Sequence, residues 1–198
     1  MGGLLASFCS SSAKNVDIYT IEELVVNQSN EVRSEAAARA LGTVFVRLSG
    51  SKSVLAAPAV RAAIVKASIY VSKFGYQQTD QVITIAGATE PANRLVMRFS
   101  QAPLEAILKN NQLPIWLSNR PDILVWGALN SDGKNYMNAD SSMALALKNS
   151  ASVRGLPTTN PVLDLNDRSS LPVARLWALD EGAIRLASSR YETDAILA

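Results

Sequence analysis

The chain has 198 residues, of which 48% are hydrophobic and 18% are charged, a balance typical of a folded globular protein. It contains no histidine and one cysteine, Cys9, which excludes Ser-His-Asp and Cys-His catalysis, a histidine pH switch and nearly every zinc site. The 19 basic and 17 acidic residues give a net charge of +2, and no run of lysine or arginine predicts a nucleic-acid surface.

Residues 1–15 are predicted to be a leader or the remnant of a signal peptide. The stretch Gly2–Phe8 is apolar, and the small residues Ser11 and Ala13 suit the −3 and −1 positions of a signal-peptidase site. The apolar run is short and no basic residue precedes it, so a disordered leader is an equal alternative. No stretch of the chain approaches the ~20 apolar residues of a transmembrane helix.

Residues 16–112 are predicted to form an N-terminal α/β subdomain, which begins with a strand at Ile18–Val26. Apolar side chains then recur at helical spacing up to Leu48, and Gly50 ends this helix. Pro58 suits the first turn of a second helix, whose apolar stripe continues to Phe74 and which Gly75 ends.

The rest of this subdomain is predicted to contain strands and one short helix. The stretch Val82–Ala86 alternates weakly and is compatible with a strand, and a turn at Gly87–Pro91 follows it. Arg94–Phe99 is predicted to be a strand. Ser100 can cap the short helix after it, which carries Leu104, Ile107 and Leu108.

Residues 113–198 are predicted to form a C-terminal α/β subdomain. Ile123–Leu129 is almost entirely apolar, so we expect a strand buried on both faces with Trp126 in the core. Asn130–Asp140 contains an Asp-Gly turn signal and is predicted to be a hairpin or surface loop. The alternating acid and amide oxygens of Asp132–Asp140 leave a cation site as the alternative. Ser141 can cap a helix that runs to Val153. The remaining predicted elements are a loop at Asn166–Ser170, a helix at Val173–Tyr191 with Trp177 on its apolar stripe, and a strand at Ala195–Ala198.

This order of elements predicts an α/β fold with two small halves and crossover helices, the second half being a small, mostly parallel sheet. The last strand should lie beside Ile123–Leu129 or beside the extended segment Val162–Leu165, with Ile196 and Leu197 covered. Because the sequence stops within this strand, we expect the C-terminal subdomain to be truncated and to leave an exposed sheet edge that favours self-association.

Asp164, Asp167 and the pair Asp180-Glu181 are the acidic residues best placed for acid–base or hard-metal chemistry. The segment lacks the glycine and the later glutamate of a calcium-binding EF-hand loop. The simpler interpretation is that Asp164 ends a strand and Asp167 helps to cap the next helix. No phosphate-binding glycine motif is present, and no metal or cofactor is predicted.

Trp116 and Arg120 are the candidate binding residues. Trp116 precedes a turn bounded by Pro121, and Arg120 follows four residues later. Tryptophan and arginine dominate the energetics of protein interfaces, so the pair could anchor a partner. Alternatively, the guanidinium of Arg120 stacks on the indole and stiffens the turn.

Several groups of residues carry a resemblance to a known family. They are Phe45-Val46-Arg47-Leu48-Ser49-Gly50; Tyr70-Val71 with Phe74 and Tyr76; Leu113-Pro114-Ile115-Trp116 with Ser118-Asn119-Arg120-Pro121; Arg154-Gly155-Leu156-Pro157 with Val162-Leu163-Asp164-Leu165; and Ser189-Arg190-Tyr191 with Asp194-Ala195-Ile196-Leu197. In order and spacing they resemble the proteobacterial envelope family catalogued as domain of unknown function 2066 (DUF2066). The resemblance implies a periplasmic or secreted protein without an assigned activity or established catalytic residues.

The sequence therefore favours a non-enzymatic envelope protein that binds a protein or another envelope component. The alternative is a carboxylate- or metal-dependent hydrolase that uses Asp164 and Asp167. Convergent carboxylates in a deep pocket would favour the hydrolase, whereas an exposed binding surface would favour the binding protein.

Overall fold

A computed structural model describes residues 14–198 except Ala86, Leu117 and Ser131, so residues 1–13 of the leader predicted at 1–15 lie outside the described residues. The helices are α1 (Asn30–Ser49), α2 (Pro58–Val65), α3 (Gln101–Asn110), α4 (Ser142–Val153), α5 (Leu165–Ser170), α6 (Val173–Trp177) and α7 (Glu181–Ser188), with 3-10 turns at Lys52–Ala56 and Ala67–Tyr70. The strands are β1 (Lys14–Asn15), β2 (Thr20–Val25), β3 (Val71–Ile85), β4 (Ala88–Phe99), β5 (Asn119–Arg120), β6 (Ile123–Val125), β7 (Ala128–Asn130), β8 (Lys134–Tyr136), β9 (Thr158–Thr159) and β10 (Ala195–Leu197).

The predicted α/β class is confirmed. One three-stranded sheet has the order β2-β4-β3 and is antiparallel, and the other has the order β10-β6-β9 and is parallel. Two further pairs, β1 with β5 and β7 with β8, are antiparallel. No helix of the described residues is long and apolar enough to cross a membrane.

The described chain forms two compact units. The N-terminal unit contains residues 17–118 and 153–155, and the C-terminal unit contains residues 14–16, 119–152 and 156–198. The predicted domain limits at residues 15 and 112 stay predictions, because compactness alone does not establish which segment folds independently.

In the N-terminal unit, α1 packs on the antiparallel sheet and contacts both β2 and β4. Its end at Gly50 is as predicted, and its start also follows from local sequence. The Ser29 hydroxyl accepts a hydrogen bond from the backbone N–H of Val32 at 3.3 Å, and Gly50 takes the left-handed conformation, with a φ of 75°. The core of this unit consists of buried side chains from α1, β2, β4 and α3, among them Ala40, Leu41, Val44, Phe45, Leu48, Ile21, Val25, Leu95, Met97, Phe99, Leu104 and Leu108.

The second predicted helix is too long. The helix α2 ends at Val65, and after a 3-10 turn the chain enters β3 at Val71, so Phe74 and Gly75 lie in a strand. Pairing with β4 outweighs the helical spacing of the apolar residues between Val60 and Phe74.

The predicted turn at Gly87–Pro91 is also too long, since β4 begins at Ala88 and Pro91 pairs with Val82. Odd-numbered residues of β4 direct their backbone N–H groups towards β2, as Phe99 does when it donates to Tyr19 at 3.0 Å. The pairing of β2 stops at Asn93, so the missing N–H of Pro91 falls on an open edge, where proline is tolerated.

The C-terminal unit is built around β6, which lies between β10 and β9. The prediction that the last strand pairs beside Ile123–Leu129 is confirmed, because Ala195, Ile196 and Leu197 are in parallel register with β6. The prediction that Ile196 and Leu197 are covered is wrong: β10 is an edge strand, and these side chains are 41% and 48% exposed.

Trp126 lies in the core of this unit, as predicted, and is 2% exposed. Its neighbours in the core are Leu124, Leu171, Leu176, Ala183, Ile184 and Ala187. The predicted strand at 123–129 is instead two short strands, β6 and β7. Strand pairing is interrupted between them, at Trp126 and Gly127. Met137 packs closely against Gly127: an added Cβ would lie 2.6 Å from the Met137 methyl carbon, so a side chain would not fit there without a shift.

Three other expectations about the C-terminal unit need correction. The predicted loop at 166–170 is the helix α5, because the Asp164 carboxylate caps it. The predicted helix at 173–191 is two helices, α6 and α7, separated where Leu179 has a φ of 52° and Asp180 caps α7. Trp177 is 42% exposed rather than buried, because α6 ends there. In contrast, the prediction of a hairpin or surface loop at 130–140 is met, because β7 and β8 pair as a hairpin.

Two glycines of the N-terminal unit should respond oppositely to alanine. A Cβ on Gly42, inside α1, would lie 3.7 Å from Leu55 and 3.9 Å from Ile64, which are ordinary contacts. Because alanine is the better helix former, Gly42→Ala should raise the free energy of unfolding by about 0.5–1 kcal/mol. Gly50→Ala should lower it, since a Cβ at a φ of 75° would lie 2.9 Å from the Trp116 ring. Urea unfolding of both variants checks this, and equal effects of the two substitutions would contradict it.

Candidate functional site

The structure brings Asp164 and Asp167 together at the start of α5. Asp164 is the N-cap residue, and its carboxylate accepts a hydrogen bond from the backbone N–H of Asp167 at 2.8 Å. Asp167 lies inside the helix and is 1% exposed. The expectation that Asp164 ends a strand and Asp167 caps the next helix is therefore wrong: Asp164 itself caps α5, and Asp167 lies inside that helix.

The Asp167 carboxylate accepts hydrogen bonds from three donors. They are the backbone N–H of Leu163 at 2.8 Å, the Tyr191 hydroxyl at 2.5 Å and the Arg190 guanidinium at 2.9 Å. The Tyr191 hydroxyl also accepts a hydrogen bond from the backbone N–H of Val162 at 2.9 Å. This arrangement satisfies a buried carboxylate, as burial of a charge requires.

Arg190 links the two carboxylates. Its guanidinium donates to both oxygens of Asp164, at 2.9 and 3.1 Å, as well as to Asp167. The hydrogen bond from Arg190 lowers the pKa of Asp164, and the bond to Asp164 in turn raises the pKa of Arg190. Burial raises the pKa of the Tyr191 hydroxyl, and its hydrogen bond to Asp167 adds to that effect.

We call Asp164, Asp167, Arg190 and Tyr191 the aspartate cluster, and its geometry is that of a structural clamp between α5 and the segment after α7. Each carboxylate is engaged by protein donors. Among the described residues no group of three or more Cys, Asp or Glu side chains could hold a metal ion. The assignment of catalysis to Asp164 and Asp167 stays a prediction.

Because the pKa of Asp164 is lower in the folded protein than in the unfolded chain, its ionised carboxylate stabilises the fold above about pH 4. This stabilisation is lost as the pH falls through the pKa of the folded state. Asp164→Asn keeps a good capping side chain but removes the charge. We therefore expect this variant to have a flatter dependence of its urea midpoint on pH between about pH 5 and pH 2. High salt should reduce the difference from the parent, because the pair is partly exposed. Identical pH profiles would contradict the prediction.

The two residues predicted to bind a partner belong to different units. Trp116 is partly buried in the N-terminal unit, where its backbone N–H donates to Leu48 at 2.6 Å and its ring packs against Gly50. Arg120 is fully buried in the C-terminal unit, in the strand that pairs with β1. Their role in binding stays a prediction.

A second candidate site, which the sequence interpretation missed, is the outer edge of β3. This strand has 15 residues and pairs on one side with β4, and it lies at the edge of its sheet. Between Val71 and Ile85 it contains two charged residues, Lys73 and Asp80, and no proline. Natural proteins usually protect such an edge with charges, prolines or a covering element.

The alternation of hydrogen bonds in β4 defines which backbone groups of β3 face outwards. The backbone N–H of Ser100 donates to the Tyr70 carbonyl at 2.9 Å. The even-numbered residues of β4 therefore form their backbone hydrogen bonds with β3. Their partners are Lys73, Gly75 and Gln77, opposite Arg98, Val96 and Arg94. Consecutive residues of a strand alternate in direction, so Phe74, Tyr76 and Gln78 direct their N–H and C=O groups away from β4.

The two faces beside this edge differ in chemistry. Phe74 and Tyr76 pair with the buried Met97 and Leu95, so they lie on the face that α1 covers, and their rings meet edge to face at 6.1 Å. Phe74 is still 47% exposed, and the Arg33 guanidinium lies 4.6 Å from its ring centre.

On the opposite face Lys73 lies directly across from Arg98, and both are exposed. A depression of about 370 Å³ opens beside them at Gly75, and both cations line it. The edge therefore offers aromatic surface on one side and positive charge on the other.

The segment Tyr70–Ile85 does carry a sequence signal for this edge, since it is rich in Val, Ile, Tyr, Thr and Phe. The part up to Phe74 is predicted to be the end of a helix because its apolar residues fall at helical spacing, whereas the stretch from Val82 is predicted to be compatible with a strand.

Comparison with known proteins overturns the resemblance stated above. Searches of the curated proteins and of the solved structures find no match to this chain. A family described as a domain of unknown function, DUF8605, matches residues 13–117, which is more than half of the chain. The resemblance to DUF2066 is therefore wrong, and the groups of residues that suggested it were too short to separate two families. The chain belongs to the family Domain of unknown function (DUF8605).

Proposed function

We propose that this chain is a non-enzymatic binding protein whose β3 edge takes up an extended segment of a partner protein as an added strand. One observation carries the proposal: Phe74, Tyr76 and Gln78 direct their backbone N–H and C=O groups outwards from an exposed sheet edge. Strand addition uses such groups for affinity and uses the alternating side-chain positions for specificity.

The usable part of the edge is short and defined. The pairing of β3 with β4 is irregular between Val71 and Lys73 and again between Gln78 and Val82. Such irregularities bend a strand and end regular pairing. Regular pairing between them extends from Lys73 to Gln78, which spans about 20 Å. A partner segment of about six residues would cover this stretch.

The two faces support an amphipathic partner segment. Side chains of an added strand alternate between faces. One set would lie beside Phe74 and Tyr76 and should be apolar. The other set would lie beside Lys73, with Arg98 on the next strand, and should be acidic. Like charges directly opposite each other are unfavourable, so a carboxylate beside Lys73 and Arg98 would relieve their repulsion.

A decapeptide that alternates valine and glutamate is a suitable probe, and fluorescence anisotropy with the full chain measures its binding. Gln78→Pro removes one outward N–H and leaves the bonds between β3 and β4 in place, so we expect at least tenfold weaker binding. Gln78→Thr keeps the N–H in a good strand former and is the matched control. The failure of the decapeptide to bind, or equal binding by the parent and Gln78→Pro, would contradict strand addition.

We also propose a periplasmic or secreted location, which the small residues Ser11 and Ala13 support. Expression of the full chain in a Gram-negative host, followed by fractionation and N-terminal sequencing, tests this location. A periplasmic protein that starts at Lys14 would support it, and a cytoplasmic protein that keeps residues 1–13 would contradict it.

A further inference from the structure

A second concave surface lies in the N-terminal unit, on the side of α1 that faces α2. It is an open groove of about 560 Å³, within the size range of small-molecule sites. One wall is formed by Ala38, Gly42 and Val46, which follow one another at every fourth residue of α1. Leu55, from the 3-10 turn after α1, and Ile64 of α2 form the other wall.

The width of the groove depends on Gly42. A Cβ at this position would meet Leu55 and Ile64 at 3.7 and 3.9 Å, so there is room for a side chain that the sequence does not supply. Alanine would fit here and would favour the helix more than glycine does. The glycine therefore weakens α1 without allowing closer packing of the protein itself, and its effect is to keep the groove open.

The charged groups that line the groove are both cationic, and the hydroxyl of Thr43 is a neutral polar group beside them. Arg39 lies near the Ala38 end and is paired with Glu23 at 3.3 Å. Lys52 lies three residues after the end of α1, near Val46, and its side chain is exposed. No ion pair of Lys52 is found within the described part of the chain. None of the residues that line the groove is acidic.

We propose that this groove binds a medium-chain fatty acid, with the alkyl tail along α1 and the carboxylate beside Lys52. Ala38 and Val46 are eight residues apart, so the apolar wall is about 12 Å long, which suits a single short alkyl chain. The carbon lining matches the tail, and the unpaired lysine matches the anionic head. Lys52 rather than Arg39 receives the head, because Arg39 is already neutralised by Glu23.

Isothermal titration calorimetry with decanoate, below its micelle concentration, tests the proposal on the full chain. We expect one saturable site. Lys52→Glu should weaken binding at least tenfold, and decyltrimethylammonium, with the same tail and a cationic head, should not compete for the site. Lys66→Glu, at an exposed lysine after α2, is the matched control and should bind like the parent.

Gly42→Leu tests the tail site, since the new side chain would occupy the groove and should abolish binding. Circular dichroism establishes whether this variant is folded, and Lys52→Glu decides the question alone if it is not. The proposal is overturned if decanoate shows no saturable binding, if decyltrimethylammonium binds equally well, or if Lys52→Glu and Lys66→Glu behave alike. Gln78→Pro should not change decanoate binding, so failure here is distinguishable from failure of strand addition at β3.

Discussion

Trp126→Ala should lower the free energy of unfolding by about 3–5 kcal/mol, the usual loss when a large aromatic side chain is removed from a core. The Trp126 side chain fills the space between β6 and α7 and is 2% exposed. Its indole N–H donates to the Ser188 hydroxyl at 2.9 Å, and that hydroxyl donates to the Ile184 carbonyl at 2.7 Å. The substitution therefore removes packing and one buried hydrogen bond together.

Trp177→Ala is the matched control. Trp177 is the same residue type in the same unit, but it is 42% exposed. The ammonium group of Lys134 lies 5.4 Å from the centre of the Trp177 ring. Removal of Trp177 should cost clearly less than the removal of Trp126, because 42% of the Trp177 side chain already faces solvent. Urea unfolding followed by far-ultraviolet circular dichroism compares the two variants without relying on tryptophan emission. Similar losses for both would show that Trp126 is not a central core residue.

Trp126→Phe separates packing from hydrogen bonding. Phenylalanine keeps an aromatic ring in the core but leaves the Ser188 hydroxyl without its N–H donor. We expect Trp126→Phe to lower the free energy of unfolding by about 1–3 kcal/mol, less than Trp126→Ala does. The loss comes from the unsatisfied hydroxyl and the smaller side-chain volume.

The elements that sequence predicted well are those whose limits depend on local interactions. The helix α1 ends where Gly50 can take a left-handed conformation. Likewise α4 begins where the Ser141 hydroxyl accepts a hydrogen bond from the backbone N–H of Ala144 at 3.2 Å. These interactions join residues within one helical turn, so the residue types alone indicate them.

The elements that sequence predicted poorly depend on distant partners. The stretch Val71–Gly75 has apolar residues at helical spacing. It is nevertheless a strand, because residues 96–99 of β4 pair with it. Similarly, the break between α6 and α7 depends on Leu179 and Asp180 rather than on Gly182, which lies inside α7 without disturbing it. Strand pairing is a property of two segments, and a single segment does not encode it.

The same reasoning applies to the two candidate sites. The grouping of Asp164 and Asp167 is visible in sequence. Their side-chain donors are more than 20 residues away: Arg190 donates to both carboxylates, and Tyr191 donates to Asp167. The outward direction of the Phe74, Tyr76 and Gln78 backbone requires the register of β3 on β4. Residue types therefore indicate which segments carry polar side chains. Only the tertiary structure shows which of their hydrogen-bonding groups already have partners within the protein.

Asp167→Ala should lower the free energy of unfolding by about 2–4 kcal/mol, because it leaves three donors without their shared acceptor. Two of them, the Tyr191 hydroxyl and the backbone N–H of Leu163, are part-buried in these bonds. Arg190 is partly exposed and can turn towards water, which keeps the loss below that for breaking a fully buried ion pair.

Leu163 adds a second reason for this loss. Its φ of 57° is unfavourable for a residue with a side chain, and the strain persists only where neighbouring groups hold the backbone. Asp167 accepts from the Leu163 N–H at 2.8 Å, and Arg168 donates to the Leu163 carbonyl at 2.8 Å. Without the Asp167 carboxylate, the Leu163 N–H loses its acceptor and only the hydrogen bond to the Leu163 carbonyl remains. The backbone of the segment before α5 should then relax.

Two variants distinguish this explanation from a simple loss of charge. Asp167→Asn keeps the size and one acceptor oxygen, so it should cost less than Asp167→Ala. Asp180→Ala removes the carboxylate that caps α7, where the side chain is 36% exposed, and it should also cost less than Asp167→Ala. Hydrogen exchange at the Leu163 N–H gives the local readout, which should be faster in Asp167→Ala and unchanged in Asp180→Ala. Unchanged exchange in Asp167→Ala, or equal losses of stability for Asp167→Ala and Asp180→Ala, would show that the aspartate cluster does not hold this segment.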